Sequence, residues 1–409
     1  MATDTAASTV TLDDIRAARE RIRDVIYHSP CPYSMTLSRL CGADVYCKFE
    51  HLQMTGSFKE RGARNKLLLL GEAEKRKGVI AASAGNHALA LAWHGRDLRI
   101  PVTVVMPKWA PLIKVANCRS FGANVIFCGE SYDDARKHAK ELGEQKGLTY
   151  IPGFDDRDII AGAGTLGLEI LEDVPDVDVV IIPVGGGGLI AGVGRAIKAL
   201  RPETKIIGVE PANAPTLDAS LKAGRVTKID TKPTLADGLA VAEVGKLCFE
   251  ISREVIDQLL LVDEAQIAQA VLRLLELEKT IVEGGGAVPL AAAMNPDVVL
   301  NNKKVVLLLS GGNIDVTVIS KIIERGLAAD GRLCRITCRV SDRPGSLARL
   351  ATILAATGAS VKEVEHDREF GPADVGLVNI RCILETRDFQ HVREISDVLK
   401  REGIENEVR

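Results

Sequence analysis

The sequence predicts an α/β fold of open, mostly parallel sheets covered by helices, followed by a smaller ferredoxin-like βαββαβ unit. Two observations predict it. Up to residue 310, short β-branched runs alternate with longer helical patterns, as in parallel strands joined by crossover helices. Beyond that point the order becomes strand, helix, strand, strand, helix, strand. A length of 409 residues, at roughly 100 to 200 residues per domain, accommodates both parts. We place the boundary near residue 330, giving residues 1–330, with two α/β subdomains, and residues 331–409.

In chain order, Leu12, Ile15, Ile22, Val25 and Ile26 fall on one helical stripe, and Thr11 and Asp14 are spaced as an N-cap and its N3 carboxylate. The chain therefore opens with an amphipathic helix. Strands are expected over residues 44–47, 79–84, 102–106, 124–127, 177–184, 206–210 and 304–309. Residues 314–326 read as the last helix of this part, and Ala328-Ala329-Asp330-Gly331 as a short linker. Strands over 333–340, 360–370, 374–385 and 404–408, with helices over 344–357 and 388–401, complete the second unit.

Composition narrows the function. Fifty-two basic against 55 acidic residues give a net charge of −3, with no basic excess to neutralise a nucleic-acid backbone. Aromatic residues make up only 4% of the chain, too few for stacking platforms, and this balance favours a small-molecule enzyme. No stretch offers about 18 uninterrupted apolar residues, and Met1 to Thr11 lacks a basic segment followed by an apolar one. No membrane partner is expected, and the location is read as cytoplasmic. Nine cysteines without metal or redox spacing read as reduced thiols. Cys334 and Cys338, four apart in a strand, share one face at about 13 Å, too far for a disulfide.

Three glycine-bearing segments directly follow predicted strands: Ser83-Ala84-Gly85-Asn86-His87, Gly185-Gly186-Gly187-Gly188-Leu189 and Ser310-Gly311-Gly312-Asn313. Ligands of an open parallel sheet bind outside the carboxyl ends of its strands, so all three can converge on one crevice. The four glycines can turn their N–H groups inward as a nest, and the helix expected over 189–200 adds its positive end, which suits a phosphate. A tight turn that binds nothing is the plain alternative. Gly186-x-Gly188-x-x-Ala191, with Glu210 about twenty residues on, also satisfies the dinucleotide fingerprint, so a nicotinamide cofactor stays open.

Ser57-Phe58-Lys59-Glu60-Arg61 discriminates between these readings. Ser57 and Glu60 have capping-box spacing, which sets Lys59 in the first turn of a helix running to residue 70. There the positive helix end and partial burial would both lower the amine's pKa. A solvated surface lysine is the ordinary alternative, but a Schiff base with an aldehyde cofactor needs a lysine that can lose its proton. Capping alone would explain Ser83 and Asn86; the same turn could instead hold a substrate carboxylate, with the Asn86 amide reaching the cofactor. Ser310 could bond a ring nitrogen or merely end its strand. His87 reads as a satisfied polar residue near the site, and His94 as structural.

Together these residues resemble the fold-type II pyridoxal-phosphate enzymes, whose fold is tryptophan synthase β-like, and within them the serine/threonine dehydratases. The matching stretches are residues 56–63 (Gly-Ser-Phe-Lys-Glu-Arg-Gly-Ala), 83–88, 185–189 and 310–313, in family order. The resemblance implies pyridoxal 5′-phosphate carried on Lys59, Phe58 beside its ring, and Asn86 on the ring hydroxyl. It further places Gly185, Gly186, Gly187, Gly188 and Leu189 around the phosphate, Ser310 at the pyridine nitrogen, and Ser83, Ala84, Gly85, Asn86 and His87 around the substrate. The reaction it implies is β-elimination on L-threonine to 2-oxobutanoate and ammonia, with L-serine a slower substrate, in amino-acid metabolism of the isoleucine-forming kind. Serine racemases of the family carry a second serine directly after the one at position 83; Ala84 stands there, which implies that two-sided proton transfer is disabled. Their cation site resembles Glu210 and Ala214, but the second acid falls at Asp218, so metal binding stays open. Other reactions on the same scaffold, such as racemisation or threonine synthesis from a phosphorylated homoserine, and a sensor without catalysis, are the competing functions.

The tail stretch Arg339-Val340-Ser341-Asp342-Arg343-Pro344-Gly345-Ser346-Leu347 resembles an ACT domain, an amino-acid-sensing module. This implies allosteric regulation, with Gly345 and Ser346 at the start of a helix whose free N–H groups receive an effector carboxylate and Pro344 at N1. A domain that only oligomerises is the alternative. By analogy the chain is expected to form a homo-oligomer, a dimer or tetramer, through paired units of this kind.

Overall fold

The computed structural model describes residues 9–110, 112–368, 374 and 376–408. The chain divides into two compact units between Ile314 and Asp315. The division falls one helix ahead of the expected boundary near residue 330, because helix Val316–Ala329 groups with the second unit. The expected linker is the end of that helix: it runs through Ala328 and Ala329, residues with the highest helix propensity, and stops at Gly331 with φ +67°.

The first unit opens with helix Leu12–Ile22, capped reciprocally by Thr11 and Asp14 as expected. Its strands are β1 (Asp44–Lys48), β2 (Val79–Ala82), β3 (Val102–Met106), β4 (Asn124–Phe127), β5 (Thr149–Tyr150), β6 (Val179–Pro183), β7 (Lys205–Pro211), β8 (Gln258–Val262) and β9 (Lys304–Leu308). They form two parallel sheets, of order β4-β3-β2-β5 and β1-β9-β6-β7-β8. Strands β2 and β6 are buried along their whole length, which explains their continuous apolar runs: helices cover both faces of a parallel sheet. Every expected strand is present. Strands β5 and β8 were missed, the first because it is only two residues long, the second because Gln-Leu-Leu-Leu-Val carries no period that separates strand from helix.

Helix Lys59–Leu69 packs against helices Arg157–Asp173 and Asn86–Leu98. The approach is close: a Cβ at Gly162 would sit 2.6 Å from the Arg61 carbonyl oxygen. Beneath the first turn runs a buried charge network. The Arg61 guanidinium meets Glu50 at 2.8 Å and Glu169 at 2.6 Å, and Lys48 meets Glu169 and Asp173, each at 2.9 Å. Arg61 and Lys48 are almost wholly excluded from solvent, so each of these charges depends on its partners.

In the second unit, β10 (Leu333–Ser341), β11 (Ser360–Asp367), β12 (Leu377–Glu385) and β13 (Glu405–Val408) form an antiparallel sheet of order β11-β12-β10-β13. With helices Ser346–Ala356 and Phe389–Arg401 they give the expected βαββαβ order. Residues 369, 370 and 375, at the ends of two expected strands, lie outside the described residues. Alternation along β10 buries Cys334, Ile336, Cys338 and Val340 against Ile380 and Cys382 of β12 and Leu350, Leu354, Ile395 and Leu399 of the helices. Cys334 and Cys338 thus share one face as free thiols, as do the remaining cysteines in having no disulfide partner. Pro344 is not at N1: the helix starts at Ser346, and Gly345 is its N-cap at φ +91°. A left-handed cap admits glycine, and the proline is displaced to the position before it. Among the described residues no helix is long and apolar enough to cross a membrane.

Candidate functional site

A cavity of about 500 Å³ opens where β2, β6 and β9 end, and the residues that follow each strand, Ser83, Gly185 and Ser310, line it together. Its volume is that of an ordinary small-molecule site. Lys59, Phe58, Asn86, His87 and the run from Gly185 to Leu189 line the same space. The convergence expected of the three glycine-bearing loops is therefore realised, with the lysine among them.

Lys59 is the first residue of its helix. Its Nζ donates to the Gly153 carbonyl at 2.7 Å and lies 5.1 Å from the centre of the Phe58 ring. Burial lowers its pKa from 10.5 to about 8, against the opposing pull of Cys248 and Glu283. Desolvation favours the neutral amine, and a neutral amine is a nucleophile and a base. The expected capping box does not form. Phe58 itself takes helical angles as the N-cap without a side-chain bond, and the Ser57 hydroxyl is buried with no partner. Glu60 turns elsewhere: it accepts the Thr55 N–H and meets the His94 ring at 3.2 Å. A buried carboxylate close to an imidazole outbids a cap, and His94 is structural as expected. The entry of the chain into the helix is set instead by backbone: Phe58 N–H donates to the Ser310 carbonyl at 3.0 Å, and Ser57 pairs with Gly311.

The glycine run is shaped by what its backbone touches. A Cβ at Gly186 would lie 2.4 Å from the Phe154 ring, and Gly187 holds φ +90° as N-cap of helix Gly188–Leu200. The first N–H groups of that helix have no acceptor within it, and their residues line the cavity. An anion is the natural complement of such an end.

Asn86 begins helix Asn86–Leu98, whose N-cap is Gly85, so capping does not account for the asparagine. Its Nδ2 donates to Glu283 Oε1 at 2.8 Å and its Oδ1 accepts from Asn313 Nδ2 at 2.9 Å. Ser83 makes a local turn, its Oγ accepting the Gly85 N–H at 3.2 Å. His87 donates from Nε2 to the Ile151 carbonyl oxygen at 3.1 Å, and burial followed by the nearby Lys59 charge lowers its pKa to about 3. It is a satisfied neutral residue, as expected. Glu283 was missed. It lines the cavity, and burial followed by repulsion from Asp237 raises its pKa to about 7. A signal existed: Glu283 directly precedes the triple glycine 284–286, a second run of the kind at 185–188. At the mouth, Lys114 pairs with Asp237 and Lys228 with Asp133, each at 2.7 Å, pairs that join distant segments and that no local motif announces.

Glu210 does not face a ligand. Its two oxygens accept the N–H groups of Leu217 and Asp218 at 2.7 and 2.9 Å, at the start of helix Thr216–Ala223, while Asp218 pairs with Lys222. With both oxygens engaged and the residue buried, Glu210 is not offered to a ribose, which removes the acidic half of the dinucleotide fingerprint. Among the described residues no cluster of metal-ligating side chains forms.

Comparison with known proteins agrees with this geometry. The family model described as pyridoxal-phosphate dependent enzyme matches residues 22–311. The chain is 46% identical to the L-threonine ammonia-lyase of Thermotoga maritima over 396 residues, 97% of this chain and 98% of that one. It is 44% identical to the catabolic L-threonine dehydratase of Escherichia coli K12 over 315 residues, 76% of this chain and 96% of that one. Among solved structures, the processed form of threonine deaminase isoform 2 from Solanum lycopersicum superposes with a TM-score of 0.73 at 41% identity, covering 76% of this chain and 86% of the other.

Proposed function

The chain belongs to the pyridoxal-phosphate-dependent enzyme family, and from that premise we propose that it is an L-threonine ammonia-lyase, converting L-threonine to 2-oxobutanoate and ammonia and L-serine, more slowly, to pyruvate. The observation that carries the reading is the meeting in one cavity of a buried lysine, its pKa lowered to about 8, with a glycine-rich helix start. The residues fit the cofactor. Any Cβ on Gly186 would run into Phe154, so the loop presents bare backbone N–H groups where a phosphate would sit, and Lys59 lines the same space.

When bound, pyridoxal phosphate supplies an aldehyde that condenses with amines and a conjugated ring that accepts the electron pair left at Cα. Lys59 would provide the amine that holds it and, as a neutral amine, the base for the Cα proton. Gly185, Gly186, Gly187, Gly188 and Leu189 would hold the phosphate, Phe58 would pack beside the ring, and the Asn86 amide would donate to the ring oxygen. Ser310, which lines the cavity, would meet the ring nitrogen with a neutral hydroxyl rather than a carboxylate. Ser83, Ala84, Gly85, Asn86 and His87 surround the substrate, the open helix start receiving its carboxylate. Ala84 contributes only a methyl group at the position where the racemases of the family carry a second serine, which supports elimination over racemisation.

The second unit extends the proposal: an ACT-like regulatory domain over residues 331–409, in which Gly345 and Ser346 at a helix start take an amino-acid effector, within a cytoplasmic homo-oligomer. The Thermotoga relative spans this tail as well. Lys59→Ala tests the central reading. Turnover of threonine and the visible absorption of bound cofactor should both vanish with the circular dichroism unchanged; retained formation of 2-oxobutanoate would overturn it.

A further inference from the structure

Asn313 does not line the cavity, yet it ties together three segments that do: its own loop through Ser310, the stretch leading to Phe58 and Lys59, and the turn at Asn86. Its own loop is zipped to the loop before Lys59 by Phe58 N–H to Ser310 O at 3.0 Å and Gly312 N–H to Gly56 O at 2.9 Å. Its side chain packs on that loop so closely that a Cβ at Gly56 would lie 2.6 Å from Asn313 Oδ1. The Asn313 nitrogen is 2.7 Å from the Thr55 carbonyl oxygen. A carbonyl only accepts, so the Asn313 atom facing it is the donor nitrogen. The same nitrogen is 2.9 Å from one end of the Asn86 amide, and that end must then be the oxygen. The Asn86 nitrogen is consequently turned the other way, toward the cavity-lining Glu283, to which it donates at 2.8 Å.

The two ends of an amide are alike in size, and only the surrounding bonds decide which way it points. Here the decision originates in a backbone carbonyl and passes through one side chain. We propose that Asn313 is the positioning residue that holds the Asn86 amide with its nitrogen toward Glu283 and the cavity, so that the ring oxygen of a bound pyridoxal phosphate meets a donor rather than an acceptor. This rests on the reading of Asn86 as the partner of that oxygen.

Asn313→Asp tests it in the full-length chain loaded with pyridoxal phosphate. The carboxylate is nearly the same shape but only accepts, so it repels the Thr55 carbonyl oxygen and favours the reversed Asn86 amide, with its nitrogen toward residue 313 and its oxygen toward the cavity. Losing a hydrogen bond to an anionic ring oxygen weakens cofactor binding about tenfold. The readouts are the dissociation constant of pyridoxal phosphate and the pH dependence of its visible absorption band. Both should change in Asn313→Asp as they do in Asn86→Ala, and the double variant should be no worse than Asn86→Ala alone, because the two residues act through one bond. Asn313→Ala, judged by the same criteria, serves where the aspartate variant does not fold. A drop in melting temperature with cofactor affinity and absorption unmoved, or an effect additive with Asn86→Ala, would overturn the role of Asn313 alone. If Asn86→Ala itself leaves both readouts unchanged, the reading of Asn86 fails and takes this proposal with it.

Discussion

The two sides of the cavity are built on opposite principles. The side that carries Lys59 rests on ionisable groups: the Arg61 network beneath the helix and Glu283 beside Asn86. The side formed by residues 185–189 rests on the absence of side chains, with backbone pressed against Phe154 and a left-handed cap at Gly187. The first is held by charges that can be removed or titrated; the second by volume and backbone angle, which pH does not reach. A lysine that must change protonation state sits on the titratable side, and the phosphate would sit on the other.

Removing the central charge is the most severe test of the difference. Arg61→Leu leaves Glu50 without its guanidinium and Glu169 with Lys48 alone, at sites closed to water. Breaking a buried pair in this way costs about 3–5 kcal/mol, read as a lower urea midpoint. Arg61→Lys should recover only part of it, because an ammonium cannot reproduce the fork that serves two carboxylates. An unchanged midpoint in the leucine variant would show that the network does not anchor the helix.

Glu283 gives a smaller effect with a pH signature. Its folded pKa of about 7 lies above the ordinary 4.5, so the folded chain keeps a proton that the unfolded chain has lost between these values. Stability therefore falls as pH rises through this window, and the penalty is complete above pH 7. Glu283→Gln keeps an oxygen for the Asn86 N–H and removes the charge. At pH 8 to 9 it should exceed the parent by up to about 3 kcal/mol, and at pH 4 the two should coincide. A difference that does not vary with pH would mean that the carboxyl is not neutral when folded.

The two sides also differed in how far the sequence disclosed them. The glycine side was legible because its signal is local: four glycines after an apolar strand require backbone where side chains would clash. Lys59 was found at the right place for a reason that proved false, since Glu60 serves His94 and the Thr55 N–H rather than the cap. Glu283, Asn313 and the Arg61 partners draw on segments far apart in sequence, and Asn313 lies 2.9 Å from an atom 227 positions away. Such contacts leave no periodic trace. The strands were legible where continuous burial made them continuously apolar, as in β2 and β6. The short β5 and the ambiguous β8 were not, and the domain boundary slipped because alanines at a helix end look the same as alanines in a linker.

The glycine side should respond to volume and angle alone, with the smallest effect of the three. At Gly187 any side chain meets φ +90° and a Cβ only 2.9 Å from the Cys248 Cβ. Holding a non-glycine residue in this region costs about 1–3 kcal/mol. Asparagine tolerates left-handed angles better than alanine because its side chain bonds locally to the backbone, while both bring the same Cβ to Cys248. Gly187→Ala and Gly187→Asn should both be less stable than the parent, the asparagine gaining in backbone angle but adding atoms beside Cys248 and Val244. Both variants should lose cofactor affinity, since relieving either strain turns the helix start away from the phosphate. Neither loss should vary between pH 6 and 9, in contrast to Glu283→Gln. If the Gly187→Ala defect proves pH-dependent, the two sides of the cavity are electrostatically joined and the division between charge and volume does not hold.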